Sequence, residues 1–293
     1  MKSMQKTIVS VAIMLIIIMA VTPDANAQRR KRNRTPKGAI HLVYNYPENV
    51  PLHYRSKTNV TEDMDINGQS MQVYVDYNLG CVVTGKGNED QMQKIEISID
   101  SMDQNVDSPN GSYGGDIKDL RGKSFMMTIS SLGKVIDISG AEKITFDQEG
   151  SGESNLSQSF NDYFPVLPDK DIKPGDTWES NDSTVSAAPT NTTKVIAKSV
   201  STFEGIENID GTDCAKIVST ITGTREQTMQ SMGMEIFTSG PFTGTVEIYF
   251  AVKEGYYIKQ VAKTRMDGTI ELRDQGMSFP VVMNVDGVTQ LIK

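Results

Sequence analysis

Histidine and cysteine, which often carry catalysis or bind metals, are scarce in this chain. Its 293 residues include two His and two Cys. His41 and His53 lie twelve residues apart, and together they supply at most one base of a hydrolase triad. Gly150-Ser151-Gly152 lies in a polar segment without the strand, sharp turn and helix of a nucleophile elbow. The sequence therefore predicts no catalytic residues, no metal site and no cofactor.

Acidic side chains are numerous, and they leave one catalytic alternative open. Asp100, Asp103, Asp107 and Asp116 follow one another closely. A pair of carboxylates is what a glycosidase needs, but carboxylates on an acidic protein are more often a solvated face. Their spacing also fits no EF-hand loop. A carbohydrate-active hydrolase is therefore the least favoured of three function classes.

Cys81 and Cys214 leave two structural alternatives open. In an oxidising compartment a disulfide between them would close a loop of about 130 residues and stabilise the fold by roughly 4 to 5 kcal/mol. Cysteine is equally common as a small, buried, free side chain. The sequence does not separate these alternatives.

The first 27 residues predict an export signal. Lys2 and Lys6 precede an apolar run from Ile8 to Val21, and Ala25-Asn26-Ala27 is a small-residue cleavage site. The run of about 14 residues is shorter than the roughly 18 that span a bilayer. Cleavage after Ala27 would leave the protein in the periplasm or outside the cell.

A basic arm, residues 28–38, follows the cleavage site and is predicted to be disordered. All six of its charged residues are positive, at Arg29, Arg30, Lys31, Arg32, Arg34 and Lys37. Such a cluster resists translocation and so opposes the export prediction. Its functional alternative is contact with an anionic envelope surface. The whole chain has a net charge of −8, which argues against nucleic acid as a partner.

From residue 39 onward, alternating patterns predict antiparallel strands. Ile95, Ile97 and Ile99 alternate with polar residues, which is the period of a strand with one buried face. Glycine follows Asn, Asp or Glu at five positions that favour tight turns. They are Asn67-Gly68, Asp210-Gly211, Glu254-Gly255, Asp267-Gly268 and Asp286-Gly287. The sequence thus predicts a mainly β protein, whose consecutive hairpins form a curved antiparallel sheet or partial barrel.

One segment, Glu153 to Phe164, predicts an amphipathic helix that lies on the sheet and ends at Pro165. Its apolar side chains recur at helical spacing, at Leu156, Phe160, Tyr163 and Phe164.

The helix belongs to a predicted central connector, residues 141–178, between two β halves. The first half is residues 39–140 and the second is residues 179–293. Each half contains a similar hairpin flanked by glycines, and corresponding residues of the two hairpins lie 122 positions apart. Whether the halves are a duplication is left open.

The connector ends in a predicted turn. In Lys173-Pro174-Gly175-Asp176, proline sets φ and Gly175 supplies the positive φ of a type II turn. Trp178 begins the next strand and is the only tryptophan. A side chain of that size beside a fixed turn is typical of a buried structural anchor.

Two segments together resemble a family of exported bacterial β-rich proteins classed as a domain of unknown function. They are Leu167-Pro168 with Lys173-Pro174-Gly175-Asp176-Thr177-Trp178, and Gly122 to Gly140 with its Gly-Lys-Val-Ile-Asp-Ile-Ser-Gly end. The resemblance implies an envelope or secreted setting and supplies no catalytic residues. The outline of a curved sheet under a helix is also similar to that of half-barrel periplasmic lipoprotein carriers, which hold acyl chains.

These observations favour an exported, non-catalytic binding or carrier protein of the bacterial envelope for an apolar or lipid-like ligand. The predicted cavity wall comprises Leu156, Phe160, Phe164, Met232 and Phe250, because apolar pockets select ligands by size and hydrophobicity. The alternative is an envelope structural or partner-binding protein, in which these side chains form a packed core. Neither the ligand nor the oligomeric state follows from the sequence.

Overall fold

The computed structural model describes residues 38–66, 68–109, 111–148, 152–188, 190–231 and 233–292. The predicted signal peptide with Ala27, the basic arm up to Lys37 and the cavity candidate Met232 lie outside these ranges.

Long antiparallel strands make up most of the described chain. Their bounds are β1 Pro51–Ile66, β2 Gln69–Glu89, β3 Met92–Ser108, β4 Gly111–Asp116, β5 Ser124–Ser130, β6 Val135–Asp137, β7 Thr145–Gln148, β8 Gly152–Asn155, β9 Thr177–Ala188, β10 Asn191–Ile209, β11 Thr212–Ser231, β12 Met234–Ala251, β13 Tyr256–Leu272 and β14 Met277–Ile292. Along β1, every second residue from Tyr54 to Met64 is buried. The alternation gives the sheet a buried inner face and a polar outer face.

Twelve strands form one sheet, in the order β6-β5-β3-β2-β1-β14-β13-β12-β11-β10-β9, with β4 paired to β3. The sheet is antiparallel and curved without closing, so the predicted fold class is confirmed. Pairing of β1 with β14 joins the strands of both predicted halves into this single sheet. A duplication of the halves stays a prediction.

Some predicted turns are present and two are wrong. Asp210 and Gly211 have φ of +48° and +87° and join β10 to β11, as a tight primed turn requires. Gly255 has φ of +79° between β12 and β13. By contrast, Gly268 lies inside β13 and Gly287 inside β14. A Cβ at Gly268 would lie 2.5 Å from the Ser239 carbonyl oxygen, so this glycine allows neighbouring strands to approach closely.

The predicted helix over Glu153 to Phe164 is wrong in length. The described helices are α1 Ser139–Glu142, α2 Ser157–Phe160 and two 3₁₀ turns, Lys118–Leu120 and Arg273–Gln275. The first residues of the segment instead form β8, which pairs with β7. Asn155 Oδ1 accepts hydrogen bonds from Ser157 N at 3.1 Å and Ser157 Oγ at 2.6 Å, and this fixes the chain where the strand gives way to a single helical turn. No helix in the described ranges has the length and apolar character needed to cross a membrane.

The turn before β9 has the predicted geometry. Gly175 has φ of +89°, and Asp176 N donates to the Lys173 carbonyl oxygen at 2.9 Å. Trp178 is only partly buried against the core, and Lys170 Nζ lies 5.5 Å from its ring centroid. The role of Trp178 as a structural anchor stays a prediction.

Candidate functional site

The inner face of the sheet has an aromatic end and a polar end. Tyr54 of β1, Tyr257 of β13 and Phe250 of β12 are fully buried at the aromatic end. Glu62 lies eight residues further along β1 than Tyr54, which is about 26 Å at roughly 3.3 Å per residue. The same strands therefore carry a packed aromatic cluster and, well separated from it, buried charge.

The polar end is built around Glu62 of β1 and Arg225 of β11, which are 0% and 1% exposed. Neither carboxylate oxygen of Glu62 has a hydrogen-bond partner among the described residues. Arg225 Nη2 donates to Gln227 Oε1 at 2.8 Å, and Gln227 Nε2 donates to Asn191 Oδ1 at 3.0 Å.

Burial controls the charge of both groups. It raises the pKa of Glu62 well above its ordinary value, and the positive charge of Arg225 opposes that rise. Burial lowers the pKa of Arg225 to about 10, against the effect of Glu62. Burial therefore disfavours the charged form of both groups, and each charge partly offsets this effect on the other.

The curvature of the sheet brings these two side chains near each other. Strands β14, β13 and β12 separate β1 from β11, which would place the two backbones about 19 Å apart in a flat sheet. The register between β12 and β13 shifts between Tyr249 and Phe250, an irregularity of the kind that bends a strand. A Cβ at Gly240 would lie 2.6 Å from the Gly268 Cα, so the two strands also approach each other closely at this glycine.

Small hydroxyl groups line the inner face between the two ends. The side-chain oxygens of Ser180 and Ser199 share a hydrogen bond of 2.8 Å, as do those of Ser201 and Ser219. Both pairs are buried and join neighbouring strands among β9, β10 and β11. This part of the inner face is thus more polar than a purely apolar pocket would be.

The aromatic end contains a tyrosine cluster, defined as Tyr44, Tyr46, Tyr54, Tyr163 and Tyr257. The rings of Tyr54 and Tyr257 lie 4.8 Å apart, and Tyr54 Oη donates to the Tyr257 carbonyl oxygen at 2.8 Å. The hydroxyl group of Tyr257 has no hydrogen-bond partner among the described residues. Burial raises the pKa of every tyrosine in the cluster, so each hydroxyl keeps its proton.

Both cysteines are free and buried. Cys81 Sγ lies 3.2 Å from Tyr163 Oη, and burial raises the pKa of the Cys81 thiol to about 12. Burial also raises the pKa of Cys214, to about 11. Of the two alternatives, the structure has free thiols, and the raised pKa values keep them in the unreactive protonated form.

The predicted cavity residues that the structure describes lie in the aromatic end. Leu156, Phe160, Phe164 and Phe250 are at most 1% exposed. The Phe160 ring lies 5.2 Å from Phe125, at 72°, which is an edge-to-face contact of a packed core. All four side chains belong to the hydrophobic core, and their role as the wall of a ligand cavity stays a prediction.

The acidic residues singled out in the sequence lie in or beside β3 and β4. Asp103 Oδ1 accepts a hydrogen bond from Asn78 Nδ2 at 2.8 Å, and Asp116 pairs with Arg121 at 3.0 Å. Asp100 contacts His53 at 3.5 Å. In the described part of the chain, no group of three or more His, Cys, Asp or Glu side chains is placed to hold a metal ion.

A different carboxylate pair was missed by sequence reasoning. Asp162 follows α2, and Asp182 lies in β9. Burial, and secondly the Asp182 carboxylate, raise the pKa of Asp162 to about 7. If the protein were a hydrolase, this pair would be its first candidate for acid and base.

Glu62 and Arg225 were also missed. Each lies at a position of its strand where the two-residue alternation turns the side chain to the buried face. This period is the sequence feature that could have identified them. In β1 the alternation from Val60 to Met64 places Glu62 on the buried face. A charge at such a position is rare enough to indicate function.

No family model and no curated protein matches the chain, so the family resemblance of its motifs stays a prediction. Solved structures with a similar strand arrangement include an outer membrane channel from Pseudomonas putida F1, with 6% identity and a TM-score of 0.37 over 85% of this chain and 98% of that one. DynF from the dynemicin biosynthesis pathway of Micromonospora chersina has 8% identity and a TM-score of 0.26 over 92% and 95%. A protein from Bacteroides fragilis described as exported, with a YmcC-like fold, has 7% identity and a TM-score of 0.22 over 85% and 97%. Likenesses at this level carry no argument about function.

Proposed function

We propose that this protein is an exported, non-catalytic binding protein of the bacterial envelope that holds an amphiphilic, lipid-like molecule on the inner face of its sheet. The observation that supports it is the occurrence, on one face, of an apolar wall and the buried Glu62 and Arg225. The leader ending at Ala27 supports export.

An apolar row runs from Glu62 to Phe242, whose partner on β11, Gly223, lies two residues from Arg225. Glu62 pairs across the ladder with Met283 of β14, Met283 with Met266 of β13, and Met266 with Phe242 of β12. All three apolar side chains are at most 2% exposed. Methionine adapts its shape to what it packs against, so this row suits an acyl chain.

The charges favour an anionic head group. The buried guanidinium of Arg225 can donate charge-assisted hydrogen bonds to a carboxylate or phosphate, and the raised pKa of Glu62 limits the negative charge that would compete with such a group. Stability alone does not require the pair, because an apolar pair of similar size is often equally stable or more so. Since both groups are buried, the ligand must enter by separation of the walls, which an unclosed sheet permits.

Ligand extraction and a displacement assay test this proposal. Lipids extracted from the exported protein should include fatty acid or phospholipid, and oleate should displace a fluorescent acyl probe better than oleyl alcohol. In Arg225→Met this preference should disappear, whereas Arg265→Met, on the exposed outer face of β13, should keep it. Protein that is free of lipid and binds no acyl probe would contradict the proposal.

The basic arm supplies a second contact in the same setting. Its six positive charges, between Arg29 and Lys37, would attract the mature protein to an anionic membrane surface. Vesicles with anionic lipid should retain the mature protein at low salt and release it at high salt. A variant in which all six basic residues are replaced by glutamine should bind anionic vesicles no better than it binds neutral ones. Unchanged retention on anionic vesicles would contradict this role.

The alternative, a structural or partner-binding protein, is favoured by one separate observation. Strand β9 forms one end of the sheet and pairs only with β10 among the described strands. An edge of this kind is a site for pairing with another chain.

A further inference from the structure

The two edges of the sheet are protected to different degrees. At one edge lie β4, with six residues, and β6, with three. At the other lies β9, with twelve residues. Short strands are a common means of preventing edge-to-edge association. Among the described strands, β9 is therefore an edge that is not shortened in this way.

The register shows which backbone groups of β9 face outward from the sheet. Phe203 N donates to the Asp176 carbonyl oxygen at 3.0 Å, so Asp176 faces β10. Residues in an antiparallel strand alternate between the two neighbours. Thr177 therefore faces the edge, and its carbonyl oxygen accepts a hydrogen bond from Lys170 Nζ at 3.1 Å. The next residues in the same orientation are Glu179, Asn181, Ser183, Val185 and Ala187, which turn their N–H and C=O groups to the open edge.

The side chains of β9 include two of the charged residues that can protect an edge, Glu179 and Asp182, but no basic residue and no proline. Its sequence is Thr-Trp-Glu-Ser-Asn-Asp-Ser-Thr-Val-Ser-Ala-Ala. Val185 is 67% exposed, and Ile196 and Val200 of the adjacent β10 are 47% and 36% exposed. The outer surface beside the open edge therefore has apolar side chains that a second strand would cover.

We propose that two copies of this chain pair antiparallel through β9, about a two-fold axis at Ser183. In an antiparallel pair, the side chains of two residues that lie opposite each other point to the same face of the sheet. Odd-numbered residues of β9 must therefore lie opposite odd-numbered residues of the partner, and even-numbered opposite even-numbered. With Ser183 opposite the partner's Ser183, Glu179 faces the partner's Ala187 and Asn181 faces the partner's Val185. All these residues present their backbone groups to the edge, so the two copies exchange hydrogen bonds from Glu179 to Ala187.

Charge selects this register over the one centred on Asp182. An axis at Asp182 would still pair edge-facing residues with one another, but it would place the carboxylates of two aspartates opposite each other. With the axis at Ser183, Asp182 lies opposite the partner's Thr184 and no carboxylate faces another. A self-complementary strand is what a two-fold interface requires, so a second copy is the occupant that this edge fits.

Cysteine substitution tests the register directly. Opposite residues in such a pair have Cα atoms about 5.5 Å apart, which suits a disulfide. Under oxidation, Ser183→Cys should form a covalent dimer. Asn181→Cys and Val185→Cys should do so only when the two variants are mixed. Wild-type protein, with Cys81 and Cys214 buried, is the control and should stay uncrosslinked. Cross-linking of Asn181→Cys alone and not of Ser183→Cys would overturn this register.

A proline substitution tests whether the edge is the interface. Ser183→Pro removes an N–H that points to the edge and leaves the ladder with β10 intact. In sedimentation analysis the wild type should have twice the monomer mass, and Ser183→Pro should be a monomer with the native circular dichroism spectrum. A monomeric wild type, including one whose β9 binds an extended segment of another protein, would overturn the proposal. So would a dimer that persists in Ser183→Pro. Lipid binding does not enter this test, so its outcome is independent of the proposed ligand.

Discussion

Replacing Glu62 with glutamine should remove a loss of stability that the native protein shows as pH rises. Burial raises the pKa of Glu62 in the folded protein above the ordinary value of 4.5, so the folded state binds this proton more tightly than the unfolded state. Its contribution to stability is complete below pH 4.5 and is lost as the pH rises toward the raised pKa. Glutamine does not titrate and keeps the shape of the neutral carboxyl group.

The size of this stability change depends on the pH interval between the pKa of Glu62 in the unfolded protein and its pKa in the folded protein. Each pH unit inside it changes the free energy of unfolding by about 1.36 kcal/mol. Between pH 5 and pH 7 the native protein should therefore lose stability relative to Glu62→Gln, by on the order of 1 kcal/mol for each pH unit that lies below the raised pKa. Arg225 reduces this loss, because its charge favours the ionised carboxylate.

Urea unfolding at several pH values measures this difference. The matched control is Asp63→Asn, at the next position of β1, whose side chain points to the other face and accepts a hydrogen bond from Gln72. The control should follow the pH dependence of the wild type. If Glu62→Gln also followed it, the interpretation of Glu62 as a buried group that keeps its proton would be refuted.

Four further experiments test other parts of the structure. Trp178→Ala should lower the free energy of unfolding by less than the roughly 3 to 5 kcal/mol of a fully buried aromatic, because the ring is only partly buried; a larger loss in urea titration would place Trp178 in the core. The thiol of Cys81 should react with a thiol reagent only after unfolding, since burial raises its pKa to about 12; rapid labelling of native protein would contradict this. Gly268→Ala should destabilise by about 1 to 3 kcal/mol, because its Cβ would lie 2.5 Å from a backbone oxygen; an unchanged melting temperature would show that β12 and β13 do not need this close approach. The exported protein should begin at Gln28 in N-terminal sequencing, and an intact leader on membrane-embedded protein would show that the basic arm blocks export.

The sequence predicts the strands well because alternation is a local property. Ile95, Ile97 and Ile99 are buried in β3 as their period indicates. The turn at Asp210-Gly211 is also local, since both residues need positive φ. These features depend on neighbouring residues alone.

The errors arise where distant strands decide the conformation. Asp267-Gly268 has the composition of a turn, yet its glycine allows two strands to approach each other closely. The apolar spacing from Leu156 to Phe164 fits a helix, yet a single helical turn followed by irregular chain buries the same side chains. The charges of Glu62 and Arg225 influence each other although three strands separate β1 from β11, and the period of a single strand does not specify such a relation.

An amphiphile held on the inner face should be found when the protein is extracted as the cell exports it and the extract is analysed by mass spectrometry. We expect fatty acid or phospholipid in stoichiometric amount, and loss of its anionic component from Arg225→Met. Exported protein that yields no lipid, and that takes up no acyl probe after purification, would contradict the account and leave the inner face as a packed core.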